Sequence, residues 1–402
     1  MAEGLRIRMY RVGFGDCFLL TLPTASGPRH VLIDCGVHGR GNPRTIAEVV
    51  EDVLAEANGH LSLVIGSHPH QDHLSGFATC AARFGQTRAQ EVWMPWTENP
   101  QDKVATNLRK KRLALVERLR EHLTYTGGSD GAMAVMENLS GNQKALQVLR
   151  SGFAGDPVVR YLEAGTELKD AAGIAGLTAR ILGPPRDPEF LAKMNPPAAQ
   201  RYLRLEEERL VPVNAVHPFA RQWEVPVEKY RRAHSGFTAA DERRFAQDVV
   251  RPLDALAFTL DQVVNNTSLA VLFGYRGKSL LFPGDAQWGN WKGWLEKDGA
   301  HDLLGELSFY KVSHHGSHNA TPKGALEAMT TGQFAAMCST QGEPWPSIPQ
   351  PRLMDALDRK TRKRVVRSDS VWLPNAVPGP AAGPLPAGFT QGKLWLDYAL
   401  SL

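Results

Sequence analysis

The sequence has little cysteine and lacks long apolar runs, and both absences narrow what the protein can be. Its four cysteines form no Cys-x-x-Cys pair and show no zinc-finger spacing, which predicts buried thiols in a reducing compartment; they are Cys17, Cys35, Cys80 and Cys338. No run of about 18 apolar residues is present, so no membrane span is expected. The first residues lack the basic-then-apolar pattern of a signal peptide, which predicts a cytoplasmic protein.

A strong excess of one charge and internal repeats are also missing. The formal net charge is +4, and 43% of the residues are hydrophobic and 22% charged, as in an ordinary globular protein. Mild basicity permits a nucleic-acid partner but does not imply one. The 402 residues allow one large domain with insertions, or two to three domains.

Short apolar runs predict buried strands in two separate parts of the chain. The first part contains "CFLLTL", "HVLIDCG" and "LSLVIG". In the second, "LAVLFGY" and "KSLLFPG" flank Arg276-Gly277, and this pattern predicts a hairpin. The run "ALAFTL" (255–260) also has strand patterning, and "KLWLDYAL" predicts a last edge strand.

Two segments of different character interrupt the strands. The first contains the amphipathic, basic "LRKKRLALVERLREHL", and the second the helical pattern "RYLRLEEERL" (201–210). We expect a single domain over 1–402, with core halves at about 1–96 and 255–402 and a further core strand at 175–185. Mainly helical insertions are expected at about 97–170 and 186–254. The pattern favours an α/β fold with a two-sheet core and helices outside.

The heptapeptide SHPHQDH, residues 67–73, directly follows the predicted strand "LSLVIG". Imidazole and carboxylate ligands together suit zinc, manganese or iron. His68 and His70 can reach the same side of extended backbone, whereas Asp72 and His73 can turn to a second position. The stretch therefore predicts a site for two adjacent metals rather than a solvated polar loop.

This motif resembles the hallmark of the metallo-β-lactamase superfamily. The segments "RVGFGDCFLL", "VLIDCG", "ILGPP", "NNTSLAVLF", "FPGD" and "VSHHGSHNAT" narrow the resemblance to the metallo-β-lactamase domain of competence-type DNA-uptake channel proteins, the ComEC type. It covers most of residues 5–96 and 175–345, and without a channel segment the chain resembles a soluble, stand-alone relative. The resemblance implies a four-layer αββα sandwich.

The resemblance also implies roles for particular residues. His68 and His70 would hold one of two divalent metals, zinc by family default or manganese. Asp72, His73 and one of His314 and His315 would hold the other, with His314 favoured because it comes first after the strand. Asp285 would bridge both metals, and Asp34 would orient a ligand histidine.

One departure from the family pattern concerns the first metal. Many members have a further histidine ligand where this chain has Asn265 or Asn266. Asn266 and Ser268 could instead donate hydrogen bonds to a phosphate, or cap a strand start. Ser317, His318 and Lys311 are further candidates: His318 as a general acid or a phosphate contact, Ser317 as a substrate contact, and Lys311 as an anion contact or a solvated lysine.

The resemblance favours a metal-dependent phosphodiesterase or nuclease that acts on nucleic acid or nucleotides. Two basic runs and a tryptophan set would agree with this, although such runs are more usually solvated helix faces and such tryptophans more often serve in packing; they are Arg109–Arg112, Arg359–Arg364, and Trp288, Trp291 and Trp294. The alternatives are a hydrolase of another ester, a lactone or an amide. A non-catalytic protein that binds a protein partner through its helical insertion is a third hypothesis.

Overall fold

The computed structural model of the chain describes residues 4–39, 46–126, 129–140, 142–193, 195–201, 253–370 and 383–402. The strands in these ranges are β1 (Leu5–Tyr10), β2 (Cys17–Thr24), β3 (Gly27–Cys35), β4 (His60–Ile65), β5 (Arg88–Pro95), β6 (Val158–Leu162), β7 (Glu167–Leu168), β8 (Leu177–Gly183), β9 (Ala270–Tyr275), β10 (Lys278–Phe282), β11 (Leu307–Lys311), β12 (Ala335–Cys338), β13 (Val365–Arg367), β14 (Phe389–Gln391) and β15 (Trp395–Leu400).

The helices in the same ranges are α1 (Ile46–Glu56), α2 (Gln71–Thr79), α3 (Ala81–Phe84), α4 (Lys103–Thr126), α5 (Asp130–Leu139), α6 (Gln143–Ser151), α7 (Pro188–Leu191), α8 (Leu253–Asn265), α9 (Trp288–Leu295), α10 (Ala300–Gly305), α11 (Lys323–Ala328) and α12 (Pro351–Thr361). Short 3₁₀ turns lie at Trp96–Glu98, Ala171–Gly173, Ala198–Gln200 and Ser313–Gly316.

The strands form two sheets. The larger has the order β14-β15-β1-β2-β3-β4-β5-β6, and the smaller has the order β13-β12-β11-β10-β9-β8-β7. Apolar side chains from both sheets form the central core, including Phe18, Trp93, Phe273 and Phe309. Burying one face of each sheet against the other is the most direct way to remove these rings from water.

Helices cover the outer face of each sheet. Helices α1, α2 and α6 pack on the larger sheet, and helices α9 to α12 pack on the smaller one. The predicted fold class, an α/β sandwich of four layers in the order αββα, is thereby confirmed.

A third group of helices forms a separate apolar cluster. Helices α4, α5 and α8 bury residues at helical spacing against one another, namely Val116, Leu119 and Leu123, then Val135, Met136 and Leu139, then Ala257, Leu260 and Val264. These three helices are called the helical cap below. The cap draws α4 and α5 from the first predicted insertion, and α8 from the boundary between the second insertion and the core.

Four local expectations differ from the structure or fall outside it. The run "ALAFTL" is part of helix α8 rather than a strand, because its apolar residues face α4 and α5 at a spacing of three to four. Strand β15 is not an edge strand, since it lies between β14 and β1. The first insertion also carries β6 and β7 into the sheets, and the helix predicted at 201–210 lies almost wholly outside the described residues.

Candidate metal centre

The ends of four strands converge at one edge of the sandwich. β3 and β4 pair in parallel, and so do β10 and β11. Asp34 lies at the end of β3, and the SHPHQDH stretch follows β4. Asp285 follows β10, and His315 follows β11. Because parallel strands bring their carboxyl ends to the same edge of a sheet, residues far apart in sequence meet here.

Two glycines let the backbone approach the Asp72–His73 turn closely. A Cβ atom at Gly36 would lie 2.4 Å from the carbonyl carbon of His73, and one at Gly15 would lie 2.6 Å from the carbonyl oxygen of Asp72. The amide of Asp16 donates to that oxygen at 2.9 Å. A larger residue at either glycine would push the turn away from the strand ends.

Four buried side chains form the centre of the site: Asp72, His73, Asp285 and His315. One ligand atom from each lies within 4.8 Å of all the others. Nε2 of His315 is 3.1 Å from Oδ2 of Asp72 and 3.2 Å from Oδ2 of Asp285, and Nε2 of His73 is 3.2 Å from that same Asp285 oxygen. Two carboxylates and two imidazoles facing one point form a donor set for a divalent transition metal.

The outward nitrogens of these two histidines are fixed by hydrogen bonds. Nδ1 of His73 donates to Oδ2 of Asp34 at 2.8 Å, and Nδ1 of His315 donates to the Ser339 carbonyl at 2.8 Å. Asp34 also accepts from the amide and hydroxyl of Ser67, both at 2.7 Å. Such bonds set the tautomer and leave Nε2 free to bind a metal.

The electrostatics of the site divide its histidines into two groups. Burial lowers the pKa of His68, and it lowers that of His70 to about 3 and that of His314 to about 4. Burial also opposes the charged form of His315, but Asp285 and Asp72 raise its pKa to about 10, and the pKa of His73 is likewise raised by Asp285 and Asp72. The same pairing holds the pKa of Asp72 and of Asp285 below its usual range despite burial.

Several buried polar atoms at the site make no hydrogen bond. They include Oδ1 of Asp72 and Nε2 of His73 and of His70. A buried, unpartnered polar atom is costly, and buried charges in proteins are paired or bind metals. The residues present therefore fit a divalent metal.

The structure separates His314 from His315. His315 belongs to the central group, whereas Nε2 of His314 faces the Asn265 side-chain amide at 3.3 Å and Nδ1 faces Oδ1 of Asn319 at 3.2 Å. The histidine of this group is therefore His315 and not His314, the one that the sequence favoured, and both histidines adopt left-handed backbone, with φ of 45° and 53°. Asp34 shares this conformation, with φ of 55°.

Lys311 is neither a solvated lysine nor a substrate contact. Its side chain is 2% exposed and forms an ion pair with Asp16 and a 3.3 Å contact with Oδ1 of Asp285, and it donates to the Gly284 carbonyl at 3.0 Å. Burial raises the pKa of Asp16 even though Lys311 opposes the shift. Sequence reasoning gave Asp16 no role, although its position between Gly15 and a predicted strand was a usable signal.

Asn266 and Ser268 hydrogen-bond to backbone groups next to the site and are not among the residues that line the pocket beside it. Nδ2 of Asn266 donates to the carbonyls of Leu191 and Lys193, and its Oδ1 accepts from the amides of Gln287 and Asn290. Oγ of Ser268 accepts from the amide of Asp285 at 3.0 Å. Both side chains are buried, so the predicted phosphate contacts do not hold for them.

A pocket of about 160 Å³ opens beside the centre, between the sandwich edge and the helical cap. Polar groups on its wall include His70, Asp72, Asp285 and His314, together with Ser317, His318 and Asn319. Its apolar wall consists of Phe14, Val135, Phe258, Trp345 and Ile348. Among the described residues lining this pocket, none is a lysine or an arginine.

The features that suggested nucleic acid are partly used in packing. Trp291 and Trp294 are buried, so they cannot stack on bases; the packing interpretation is confirmed for Trp291, whereas Trp288 is half-buried. Arg112 contacts Oε1 of Glu98 at 3.2 Å, and Nζ of Lys360 donates to the carbonyls of Glu327 and Met329. Lys110 and Lys111 are exposed on α4.

The other sequence expectations that the structure tests concern cysteines and membranes. All four cysteines are free and buried, as predicted. Within the described part of the chain, no helix combines the length and apolarity needed to cross a membrane.

Comparison with known proteins identifies no family. No family model and no curated protein match the sequence. Among solved structures, Igni18, a metallo hydrolase from the archaeon Ignicoccus hospitalis, is similar over 94% of this chain and 97% of that one, with 13% identity and a TM-score of 0.37. A similarity this weak carries no argument about function.

Proposed function

We propose that the protein is a metal-dependent hydrolase with two divalent cations, zinc or else manganese, that cleaves phosphodiester bonds in nucleic acid or nucleotides. The observation that carries the proposal is the buried group of Asp72, His73, Asp285 and His315, whose ligand atoms converge within 4.8 Å. Its unpartnered atoms are a cost to the fold that metal binding would offset.

The proposed ligands form two sets, one for each cation. His68 and His70 would hold the first cation, Asp72, His73 and His315 the second, and Asp285 both. When bound, two cations would lower the pKa of a water molecule and neutralise charge on the oxygens of the phosphoryl group under attack. On the pocket wall, His318 donates a proton to the leaving oxygen, and the Ser317 hydroxyl hydrogen-bonds to the substrate.

A hydrolase of a neutral ester, lactone or amide is the second candidate. It is favoured by the apolar side of the pocket and by the lack of lysine and arginine among the described lining residues. Among the described lining residues no lysine or arginine would neutralise the charge of a phosphodiester, so that charge would depend on the cations, whereas a neutral substrate would bind the apolar wall through the hydrophobic effect.

The replacement Asp72→Asn tests the metal-dependent reaction. We expect the wild type to retain about two metals per chain and to hydrolyse bis-p-nitrophenyl phosphate, and the variant to lose more than about 100-fold of this activity. Metal analysis and steady-state rates provide the measurement. The control is the replacement Glu117→Gln, because Glu117 is an exposed acidic residue on α4. An Asp72→Asn protein as active as wild type would exclude the proposed mechanism.

The substrate class is decided by a panel on the same metal-loaded protein. Phosphodiesterase action predicts cleavage of single-stranded DNA, RNA or dinucleotides, together with the chromogenic diester. Turnover confined to p-nitrophenyl carboxylic esters or lactones would instead establish the second candidate.

A further inference from the structure

Three histidines at the site have the same orientation. In each, Nδ1 is in hydrogen-bond contact with a neighbouring residue, and Nε2 is directed towards the other ligand residues. Nδ1 of His73 is held by Asp34, and Nδ1 of His315 by the Ser339 carbonyl. Nδ1 of His68 lies 3.0 Å from Oγ of Ser67, whose own hydroxyl donates to Asp34. In each case Nε2 is the nitrogen that contacts other site residues: Nε2 of His73 and of His315 lie 3.2 Å from Oδ2 of Asp285, and Nε2 of His68 lies 3.0 Å from Nδ1 of His70.

The ring of His70 has the opposite orientation, with Nδ1 rather than Nε2 on the side of the other ligand residues. Its Nδ1 lies 3.0 Å from Nε2 of His68, within hydrogen-bond distance, so these two nitrogens are direct neighbours. Its Nε2, across the ring, faces Oδ1 of Asp261 at 3.4 Å, and the exposed fractions of the two side chains are 1% and 14%. Neither of these two facing atoms makes a hydrogen bond, although both are buried.

Asp261 is held in place from its other oxygen. Nδ2 of Asn265, one helical turn further along α8, is 3.3 Å from Oδ2 of Asp261 and 3.3 Å from Nε2 of His314. The apolar contacts of α8 with α4 and α5 fix the helix itself. Oδ1 is therefore directed at His70 by a packed helix and not by a loose side chain.

We propose that Asp261 is a positioning residue of the first metal position, where it accepts the Nε2 proton of His70 and so leaves Nδ1, beside Nε2 of His68, as the metal donor. The inference rests on the proposed metal-dependent function. A carboxylate that accepts from a ligating histidine fixes its tautomer and raises its basicity. The helical cap thus contributes a functional group to a centre built on the sheets, near the position where a further histidine was expected.

Metal binding by Asp261→Ala and Asp261→Asn tests this role. Removing the carboxylate should weaken one of the two metals by about 10–100-fold and leave the other unchanged, because His70 is the only proposed ligand that loses its partner. The asparagine variant keeps an accepting oxygen and should fall between alanine and wild type. Competition with a zinc chelator gives the affinities, and the absorption spectrum of the cobalt-substituted protein reports the coordination of the altered site.

Glu117→Gln again serves as the exposed control, and circular dichroism establishes that each variant is folded. If Asp261→Ala does not fold, the asparagine variant decides the question. Two metals held with wild-type affinity and an unchanged cobalt spectrum in the folded variants would overturn the role of Asp261. Failure of the proposed function has a different signature, since the wild type itself would then bind no metal.

Discussion

Lys311 places a permanent positive charge directly beneath the candidate metal centre. Its ammonium group lies between Asp16 and Asp285, and all three side chains are 2% exposed or less. Taking either partner out of a buried ion pair leaves an uncompensated charge, which costs more than the pair itself gains. Lys311 therefore allows a third and fourth carboxylate to remain close to Asp72 and Asp34.

Lys311→Met should lower the free energy of unfolding of the metal-free protein by about 3–5 kcal/mol, because Asp16 and Asp285 lose their cation. Urea titration measures the change. Lys311→Met combined with Asp16→Asn should recover part of the loss, since one buried charge is removed with it. Equal stability of the single and double variants would show that the pair is not the cause.

Metal binding at the central group should release protons. The pKa of His315 is raised to about 10 by Asp285 and Asp72 against the opposing effect of burial, so this residue is protonated at pH 8 and must lose its proton to become a ligand. Affinity should therefore increase as pH rises towards 10. Calorimetry in buffers of different ionisation enthalpy measures the release, and an enthalpy independent of buffer would contradict it.

The same shift gives the metal-free protein an opposite pH dependence. A raised pKa contributes stability in full below the usual value of 6.5, and that stability is lost as pH rises through about 10. Thermal unfolding with and without metal between pH 6.5 and 10 should thus separate the two effects, because only the metal-free protein becomes less stable through His315.

For single residues, the sequence indicates which side chains have the chemistry of metal ligands, but not the direction in which each side chain points. Asp72 and His73 could be recognised because carboxylate and imidazole follow a buried strand in a tight turn. Asn266, Ser268 and Lys311 were assigned to substrate, yet each faces backbone or carboxylate groups from elsewhere in the chain. Which way a polar side chain turns depends on partners that local sequence does not specify.

Helix α8 is an element whose type the sequence predicts incorrectly, as a strand rather than a helix. Its run "ALAFTL" is short and apolar, and such a run does not distinguish a buried strand from a helix. The surrounding residues complete a helical spacing at Ala257, Leu260 and Val264, which face α4 and α5. The position of Asp261 follows from this helix, so the strand interpretation also hid its role.

Leu260→Ala should destabilise the protein by about 2–3 kcal/mol, because it leaves a cavity within the helical cap. Leu113→Ala, at a position 41% exposed on α4, is the matched control and should change stability by less than about 0.5 kcal/mol. Chemical denaturation of the metal-free proteins gives both values. A similar effect of the two replacements would mean that the cap does not pack as described.

For the whole molecule, the layer arrangement was predictable and the order of the strands was not. Short apolar runs in two parts of the chain indicate two sheets with helices outside, since each sheet must bury a face. The larger sheet, however, places the last strand beside the first, with Arg8 donating to both oxygens of Asp397 at 2.8 and 2.9 Å. Pairing across 389 residues leaves no local signal in the sequence.

The left-handed backbone of Asp34, His314 and His315 has a consequence for how the protein would evolve. A residue with a Cβ atom in this conformation carries a cost of about 1–3 kcal/mol, which glycine avoids. At His314 the hydrogen bonds that would offset this cost, to Asn265 and Asn319, are long, at 3.3 and 3.2 Å. Selection for heat resistance alone would therefore favour glycine there, whereas selection for turnover would act on the side chains, so a lineage adapting to heat would lose the His314 side chain from the pocket wall before it lost the fold.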